Sequence, residues 1–251
     1  MSKFGNTVYK RILKNFVSKR SDEVLMLEPH FGLGDNLICI GLIKTLSARH
    51  PNKKLYYACL APHYHALTWA FQALPNVYPM VVRNGREVRQ LANFLHIPYR
   101  PIGISQMDVS QFDKCFYRQH EVPFDHRWSL ASTPAGPQSE ALFARLNPTS
   151  EPYILLCGSG SDGQAHDLVI NNSHNLKFIT VHAATQNIFD WIKLVEKAQE
   201  IHTIDTGFIH FVENTLPLNT SKPLFFHRAR VAVTEFTRRL PWQEVNYCKG
   251  A

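Results

Sequence analysis

An apolar strand, a glycine loop and an amphipathic helix follow one another near the start of the chain. The run 24–27 is typical of a strand buried on both faces, and residues 37–49 carry apolar side chains at helical spacing. Between them, Gly32 and Gly34 allow a tight turn and a close approach of the backbone to a ligand, and a helix start favours an anion. The junction predicts a ligand site, although the glycines and Asp35 are also consistent with a plain turn and an N-cap.

The same alternation of strands and helices continues along the chain at short intervals. Regular alternation of this kind is typical of parallel sheets in α/β proteins. We therefore expect an α/β protein with two Rossmann-like domains that face a cleft. The predicted strands cover residues 24–27, 54–60, 77–82, 153–157, 177–181, 201–204 and 224–226, and the predicted helices cover 37–49, 62–74, 87–95, 138–146, 187–198, 208–214 and 229–239.

The length of 251 residues is sufficient for two domains of ordinary size. The alternation lapses between residues 97 and 148, where Pro, Gln and Ser are frequent, and it resumes after that stretch. We assign the N-terminal domain to 1–148, the C-terminal domain to 149–228, and a helix and tail that return to the first domain to 229–251. The first twenty residues have the pattern of a basic amphipathic helix.

Residues 116–128 are the most polar and aromatic part of the irregular stretch. Because such a run is hard to bury as a whole, we expect it to cross the surface or to line a cleft. Arg118, His120 and Arg127 are then candidates to contact a substrate. A connector between the domains that is held by salt bridges is the alternative interpretation.

The composition limits the class of protein and the kind of partner. Hydrophobic residues at 45% and charged residues at 19% are typical of a globular protein, and no apolar run is long enough to span a bilayer. The net charge of +7 predicts attraction to an anion such as a sugar nucleotide, a nucleic acid or an acidic membrane surface. The five cysteines show no CxxC spacing, which favours reduced thiols and a cytoplasmic location over a disulfide or zinc framework.

A second strand, turn and helix repeat the first junction further along the chain. Asp205, Thr206 and Gly207 form a small turn between the predicted strand 201–204 and the next helix, and His210 follows one helical turn later. Ligands of open α/β sheets bind at the carboxyl ends of the strands. The hydroxyl and amide donors of this turn are therefore suited to a diphosphate.

A third loop, which follows the predicted strand 153–157, is rich in small residues. Its backbone N–H groups, at Gly158 and Ser159 in particular, are able to contact a phosphate or a ribose. The indication is weak on its own, because clusters of Gly and Ser also form plain loops.

The two junctions together resemble the heptosyltransferase-like glycosyltransferases of the GT-B fold. Residues 32–38, Gly-Leu-Gly-Asp-Asn-Leu-Ile, resemble the Gly-x-Gly-Asp pattern of that family's first loop. Residues 201–211 resemble its donor-site strand, turn and helix, with the Asp-Ser/Thr-Gly-x-x-His pattern. The segment 116–128 is instead similar to one found in short bacterial and phage glycosyltransferase-like proteins. The chain lacks an evident Lys or Arg in the loop after residue 157, where the family has a basic donor-binding loop, so heptose does not carry over as the sugar.

The resemblance implies an enzyme that transfers a hexosyl or pentosyl group from a nucleotide sugar to an acceptor hydroxyl, with inversion. It implies that Asp35 is the general base, and we expect the helix start to favour its ionised form. The acceptor would be a glycan, a lipid-linked molecule or a nucleic acid. No cofactor or metal is expected, because the sequence has no Asp-x-Asp motif. The implied donor-binding residues are Gly158, Ser159, Asp205, Thr206, Gly207 and His210, and the implied acceptor-binding residues are Gly34, Asn36, Arg118, His120 and Arg127.

Other functions stay open on the sequence alone. The basic charge balance permits a glycosyltransferase that modifies nucleic acid, and the same motifs are consistent with a non-catalytic protein that binds nucleotide sugars. A dinucleotide-dependent oxidoreductase is less consistent with the sequence, because the first loop lacks a third glycine and no acidic residue ends a neighbouring strand at the usual distance. The oligomeric state is also open.

Overall fold

Two parallel β-sheets form the framework of the structure, a computed structural model that describes residues 23–103, 111–160, 163–230 and 235–247. The first sheet has the strand order β3-β2-β1-β4, and the second has the order β6-β5-β7-β8-β9. The amphipathic helix expected in the first twenty residues lies outside the described residues. The strands are β1 (Val24–Glu28), β2 (Lys54–Cys59), β3 (Val77–Val81), β4 (Tyr99–Pro101), β5 (Tyr153–Cys157), β6 (Lys177–Thr180), β7 (Glu200–Ile204), β8 (Leu224–Arg228) and β9 (Gln243–Asn246).

Helices connect most of the strands, as the alternation in the sequence predicts. Asn84 and Asn187 cap two of the helical segments, where their side chains accept hydrogen bonds from the backbone N–H groups of Glu87 and Phe189. The helices are α1 (Leu33–Ile38), α2 (Ile40–Arg49), α3 (Tyr64–Ala70), α4 (Gly85–Leu95), α5 (Phe112–Arg118), α6 (His126–Ser129), α7 (Ser139–Leu146), α8 (Ile192–Lys197) and α9 (Gly207–Thr215), with 3-10 turns at Ala61–His63 and Ile188–Trp191.

The α/β class with parallel sheets is confirmed, and each predicted strand overlaps a strand of the structure. The sequence interpretation missed β4 and β9, because β4 has three residues and β9 is mostly polar. The strands β1 and β7 are buried at nearly every position, since both faces of each sheet are covered. The domain boundaries at residues 148 and 228 stay predictions.

The helix of the first junction begins earlier than the apolar pattern predicts. α1 starts at Leu33, and a break at Cys39 separates it from α2. The N-cap residue is Gly32, which makes no side-chain capping hydrogen bond, so the interpretation of Asp35 as a plain N-cap is wrong. Asp35 lies instead in the first turn of the helix, where its carboxyl group accepts a hydrogen bond from the backbone N–H of Gly32.

Buried and exposed positions are mixed along the segment 116–128, so it crosses the surface, as expected, with part of its side chains turned inward. Phe116 and Tyr117 are fully buried in α5, and Arg127 is fully buried in α6. The Tyr117 hydroxyl donates to the carbonyl of Ile38 (2.7 Å) and accepts from the N–H of Leu42 (3.2 Å). It therefore bridges the backbone on the two sides of the break between α1 and α2. The aromatic side chains therefore determine where this segment lies, and the buried guanidinium of Arg127 pairs with Asp113 inside the protein.

The C-terminal helix predicted for residues 229–239 is not found in the part of it that the structure describes. Residues 229–230 and 235–239 are not helical, and β9 pairs in parallel with β8 beyond them. The N–H of Thr237 donates to the carboxylate of Asp113 (2.8 Å), and that of Arg239 donates to Glu213 (3.1 Å). Bonds to these buried carboxylates replace the bonds of a helix. The contact with Asp113 also returns this segment to the first half of the chain.

Four of the five cysteines, Cys39, Cys59, Cys115 and Cys157, are buried and free, which agrees with the expected reduced thiols. Cys248 lies outside the described residues. Among the helices that the structure describes, none has the length and the apolar composition that a membrane span requires.

Candidate active site

A cavity of about 1240 Å³ opens where the strands of both sheets end. Loops after β1 and β2 line it from the first half of the chain, and loops after β5, β6, β7 and β8 line it from the second half. Because all strands of a parallel sheet end at the same edge, the loops that follow them gather there. The fold thus brings the two strand, turn and helix junctions to one cavity.

Asp35 lines this cavity from the first turn of α1 and is half-buried. Burial raises the pKa of its carboxyl group above the ordinary value of 3.8, and the charge of Asp205 raises that pKa further. The charge of His30 and the backbone N–H of Gly32 oppose these effects without cancelling them. The N–H of Gly32 at the helix start favours the ionised form, as expected, but burial outweighs it and the net shift of the pKa is upward. A carboxylate with a raised pKa is a stronger base, which suits it to accept a proton.

Gly34 and Gly207 contact each other where α1 and α9 begin. A Cβ atom added to Gly34 would lie 2.9 Å from Cδ2 of His210 and 3.0 Å from Cα of Gly207, and one added to Gly207 would lie 2.9 Å from N of Gly34. Larger residues would therefore push the two helices apart. The sequence suggested that glycine lets the backbone approach a ligand. The structure shows that these two glycines also let the two halves of the chain approach each other.

His210 lies on α9 with its ring at the cavity wall and with 5% of its surface exposed. Nη2 of Arg127 lies 3.1 Å from its Nδ1 atom, and Asp113 forms a buried ion pair with the same guanidinium. Because arginine only donates hydrogen bonds, Nδ1 must be the acceptor, and the proton of the neutral ring is on Nε2. Burial and then the Arg127 charge hold the pKa of His210 well below its ordinary value of 6.5. His210 is thus a neutral N–H donor at the cavity.

The predicted donor-binding residues lie mostly at the cavity. Asp205, Thr206, Gly207, His210 and Ser159 line it. The Thr206 hydroxyl caps α9 by accepting from the N–H of Phe208 (3.2 Å), and both residues line the cavity. The remaining donor candidate, Gly158, precedes Ser159 and does not line the cavity.

The predicted acceptor-binding residues are mostly elsewhere. Gly34 lines the cavity, whereas Asn36, Arg118, His120 and Arg127 do not. The Asn36 amide donates to the carbonyl of Gly32 (2.6 Å) and so holds the first loop closed. Arg118 is exposed on α5, and the His120 ring contacts the carbonyl of Pro101 (3.2 Å). The buried Arg127 contacts His210 from behind and so belongs to the support of the site.

Sequence reasoning missed several residues of the cavity wall. His30, His63 and His182 line it from loops that follow β1, β2 and β6. The position of these histidines soon after predicted strands could have indicated them, because the loops at the carboxyl ends of the strands form the site. Arg230 and Phe236 also line the cavity, and the false prediction of a helix over 229–239 concealed both of them. The Phe236 ring packs edge-on against His210, with 4.6 Å between the ring centroids.

The cavity combines a proposed base with hydrogen-bond donors for an anion. Among its described lining residues, Asp35 and Asp205 are the carboxylates, and Arg230 is the only Lys or Arg. No cluster of three or more His, Cys, Asp or Glu side chains in the described parts of the chain is arranged to hold a metal ion. Asp35 and the start of α9 line this cavity together, an arrangement suited to transfer between two bound molecules.

The comparisons with known proteins identify similar folds at low sequence identity. Neither a protein-family model nor a curated protein matches the sequence. The ADP-heptose LPS heptosyltransferase II of E. coli superposes with a TM-score of 0.52 at 13% identity, with 91% of each chain covered. A family 9 glycosyl transferase of Veillonella parvula gives 0.58 at 10% identity, covering 91% of this chain and 88% of that one.

A third similar structure is an iron-containing dodecameric glycosyltransferase of enterotoxigenic E. coli. It gives a TM-score of 0.55 at 13% identity and covers 91% of this chain but 65% of its own length. Identities this low carry no residue roles from one protein to another. What these likenesses and the two parallel sheets establish is the fold, and this chain has the fold of the heptosyltransferase-like GT-B glycosyltransferases.

Proposed function

We propose that this protein is a glycosyltransferase that moves a sugar from a nucleotide-sugar donor to an acceptor hydroxyl. The observation that carries the proposal is that one cavity is lined both by Asp35 and by Thr206, Gly207 and His210 at the start of α9. The proteins of similar fold are glycosyltransferases, which adds support, and the name of one of them includes ADP-heptose. The acceptor lies on the first sheet's side of the cavity, and the donor lies on the second sheet's side, as in a two-domain GT-B cleft.

The reaction is a single displacement that inverts the anomeric carbon. The acceptor oxygen attacks that carbon, its bond to the diphosphate breaks, and the acceptor proton passes to Asp35. General base catalysis of this kind contributes about 10² to 10⁴ in rate. The leaving diphosphate receives hydrogen bonds from the N–H groups at the start of α9 and from Nε2 of His210, which stabilise the developing negative charge.

Two measurements test the proposed donor and base. A thermal-shift screen with UDP-, GDP-, ADP-, CMP- and dTDP-sugars should give a higher melting temperature with one nucleotide, because a ligand that binds only the folded state stabilises it. With that donor, the Asp35→Asn variant should lose transfer by about 10² to 10⁴ and keep the affinity for the donor. Asp125→Asn, which changes an exposed carboxylate outside the cavity, is the control.

The proposal fails if no nucleotide sugar raises the melting temperature, or if Asp35→Asn transfers at the wild-type rate. The absence of an Asp-x-Asp motif supports a metal-independent reaction. Transfer should then continue at the same rate in excess EDTA, and NMR of the product should show the opposite anomeric configuration to that of the donor.

A further inference from the structure

The donor proposed for the cavity carries two phosphates, yet the expected basic loop is missing. The loop after β5 presents Ser159 and Gly160 to the cavity in the place where a Lys or Arg was expected. Asp35 and Asp205 add negative charge to the same walls. A diphosphate needs a cation to bind well in such a site, because its charge would otherwise meet only carboxylates and neutral groups.

Arg230 brings a guanidinium to this cavity from a different strand. It lies two residues after the end of β8, and its Nη1 atom donates to the carbonyl of Asp205 (2.8 Å). The strands β7 and β8 are neighbours, with Ile204 paired to His227, so the segments that follow them leave the sheet side by side. This pairing places Arg230 beside the turn that begins α9.

The same corner of the cavity holds a second group suited to an anion. His210 is buried, lines the cavity, and has its proton on Nε2 because Arg127 occupies Nδ1. Within the described residues, Nε2 makes no hydrogen bond. The N–H donor of His210, the start of a nine-residue helix and the guanidinium of Arg230 thus line the same cavity.

We propose that Arg230 binds the diphosphate of the donor and makes the site selective for nucleoside diphosphates over monophosphates. This inference rests on the proposed function, since it concerns the same donor. A guanidinium offers two parallel N–H groups to phosphate oxygens, which matches the geometry of a diphosphate. The cation of this site therefore comes from the segment after β8, whereas Ser159 and Gly160 of the loop after β5 offer backbone and hydroxyl groups.

Arg228 offers a matched control in the same segment. It ends β8 and forms ion pairs with Glu244 (2.7 Å) and Glu235 (3.1 Å), and it does not line the cavity. A change at Arg228 removes one positive charge from nearly the same place in the chain. Comparison of the two arginines therefore separates contact with the ligand from a general effect of charge.

The experiment measures dissociation constants by isothermal titration calorimetry for UDP, GDP, ADP, CDP and dTDP and for the matching monophosphates. Wild-type protein should bind one diphosphate about tenfold or more tightly than its monophosphate. Arg230→Gln should weaken that diphosphate by about 10- to 100-fold, the usual loss for a hydrogen-bonded charged contact, with a smaller effect on the monophosphate. Arg228→Gln should bind both as the wild type does.

The outcomes separate this inference from the proposed function. If wild-type protein binds a nucleoside diphosphate and Arg230→Gln binds it equally well, the inference is overturned and the donor site stands. Equal losses in Arg230→Gln and Arg228→Gln would overturn it as well, because the effect would then be one of net charge. If Arg230→Gln does not fold, the wild type alone still tests the inference. Equal affinity of the wild type for the diphosphate and the monophosphate would overturn it. If no nucleotide binds at all, both the inference and the proposed function fail.

Discussion

At the scale of single residues, the burial of Asp35 lowers the stability of the folded protein and makes the carboxylate a stronger base. Its pKa is raised chiefly by burial, so the folded protein holds the proton more tightly than the unfolded chain does. As the pH rises from the ordinary value of 3.8 through the raised value, the stability contributed by this group falls, and above that window the full penalty is present. A residue kept in spite of such a penalty is a candidate for function.

We therefore predict that Asp35→Asn melts at a higher temperature than the wild type at pH 7, because the variant removes a buried charge. The difference in melting temperature between the variant and the wild type should become smaller as the pH falls toward 4, because the wild-type carboxyl group becomes protonated. Melting curves across this pH range measure it. Asp125→Asn, at an exposed position, should show no such trend, and an Asp35→Asn variant less stable than the wild type at pH 7 would contradict the prediction.

A second prediction at this scale concerns the ring of His210. Its contact with Arg127 requires the proton to be on Nε2, and both burial and the Arg127 charge keep the ring neutral. NMR of protein labelled with ¹⁵N on histidine should show the Nε2–H tautomer at pH 7 and no change of the ring at the ordinary midpoint of 6.5. The exposed ring of His182 is a suitable internal comparison. A midpoint near the ordinary value of 6.5 for His210 would show that Arg127 does not hold the ring as the structure has it.

At the scale of elements, the buried carboxylate of Glu213 holds the end of the segment 235–242, as Asp113 holds Thr237. Glu213 is fully buried in α9 and accepts from the backbone N–H groups of Arg239 (3.1 Å) and Leu240 (3.2 Å) and from Nε1 of Trp242 (2.7 Å). Three donors on one carboxylate offset the cost of its burial. The segment thereby keeps its extended path and carries Phe236 to the cavity wall.

Glu213→Gln should lower the free energy of unfolding by about 3 kcal/mol, since a neutral amide accepts less strongly and brings N–H donors of its own into the buried site. Urea unfolding measures this loss. Glu140→Gln is the control, because the Glu140 side chain is 81% exposed and forms its ion pair with Lys193 at the surface. Equal stability of the two variants would mean that Glu213 does not hold the segment.

At the scale of the whole molecule, the two halves approach each other at the contact between Gly34 and Gly207. The side-chain amide of Asn214 on α9 also donates to the carbonyl of Leu37 on α1 (3.0 Å). One buried cluster includes side chains of both sheets, such as Leu27 and Leu155. The cavity therefore depends on how closely α1 and α9 pack, and glycine sets that distance.

Gly34→Ala should cost about 1–3 kcal/mol of stability, because its methyl group would overlap His210 and Gly207. The same variant should also lose affinity for the donor, since it displaces the start of α9. Chemical unfolding and donor titration test the two effects. Gln90→Ala, an alanine substitution at an exposed position of α4, should change neither of them. A Gly34→Ala protein with wild-type stability would show that α1 and α9 can accommodate the added methyl group.

Much of the framework was predictable because it depends on local patterns. Short apolar runs marked the buried strands, and small residues between a strand and an amphipathic stretch marked the two junctions at Asp35 and Thr206. Parallel connectivity followed from the alternation, and it implied that both junctions lie at carboxyl edges. The strand β9 and the path of segment 235–242 were not predictable in this way, since neither has a regular apolar period.

The sequence by itself determined the α/β class, most of the strands and the candidates Asp35, Thr206, Gly207 and His210, because period and composition act within a few residues. Tertiary structure alone decided that Arg127 is buried behind His210, that Gly34 packs on Gly207, and that Arg230 lines the cavity. Each of these depends on a partner that is distant in the chain. A buried charge needs an opposite charge, and a close helix contact needs a glycine on both sides, and local sequence specifies neither pairing.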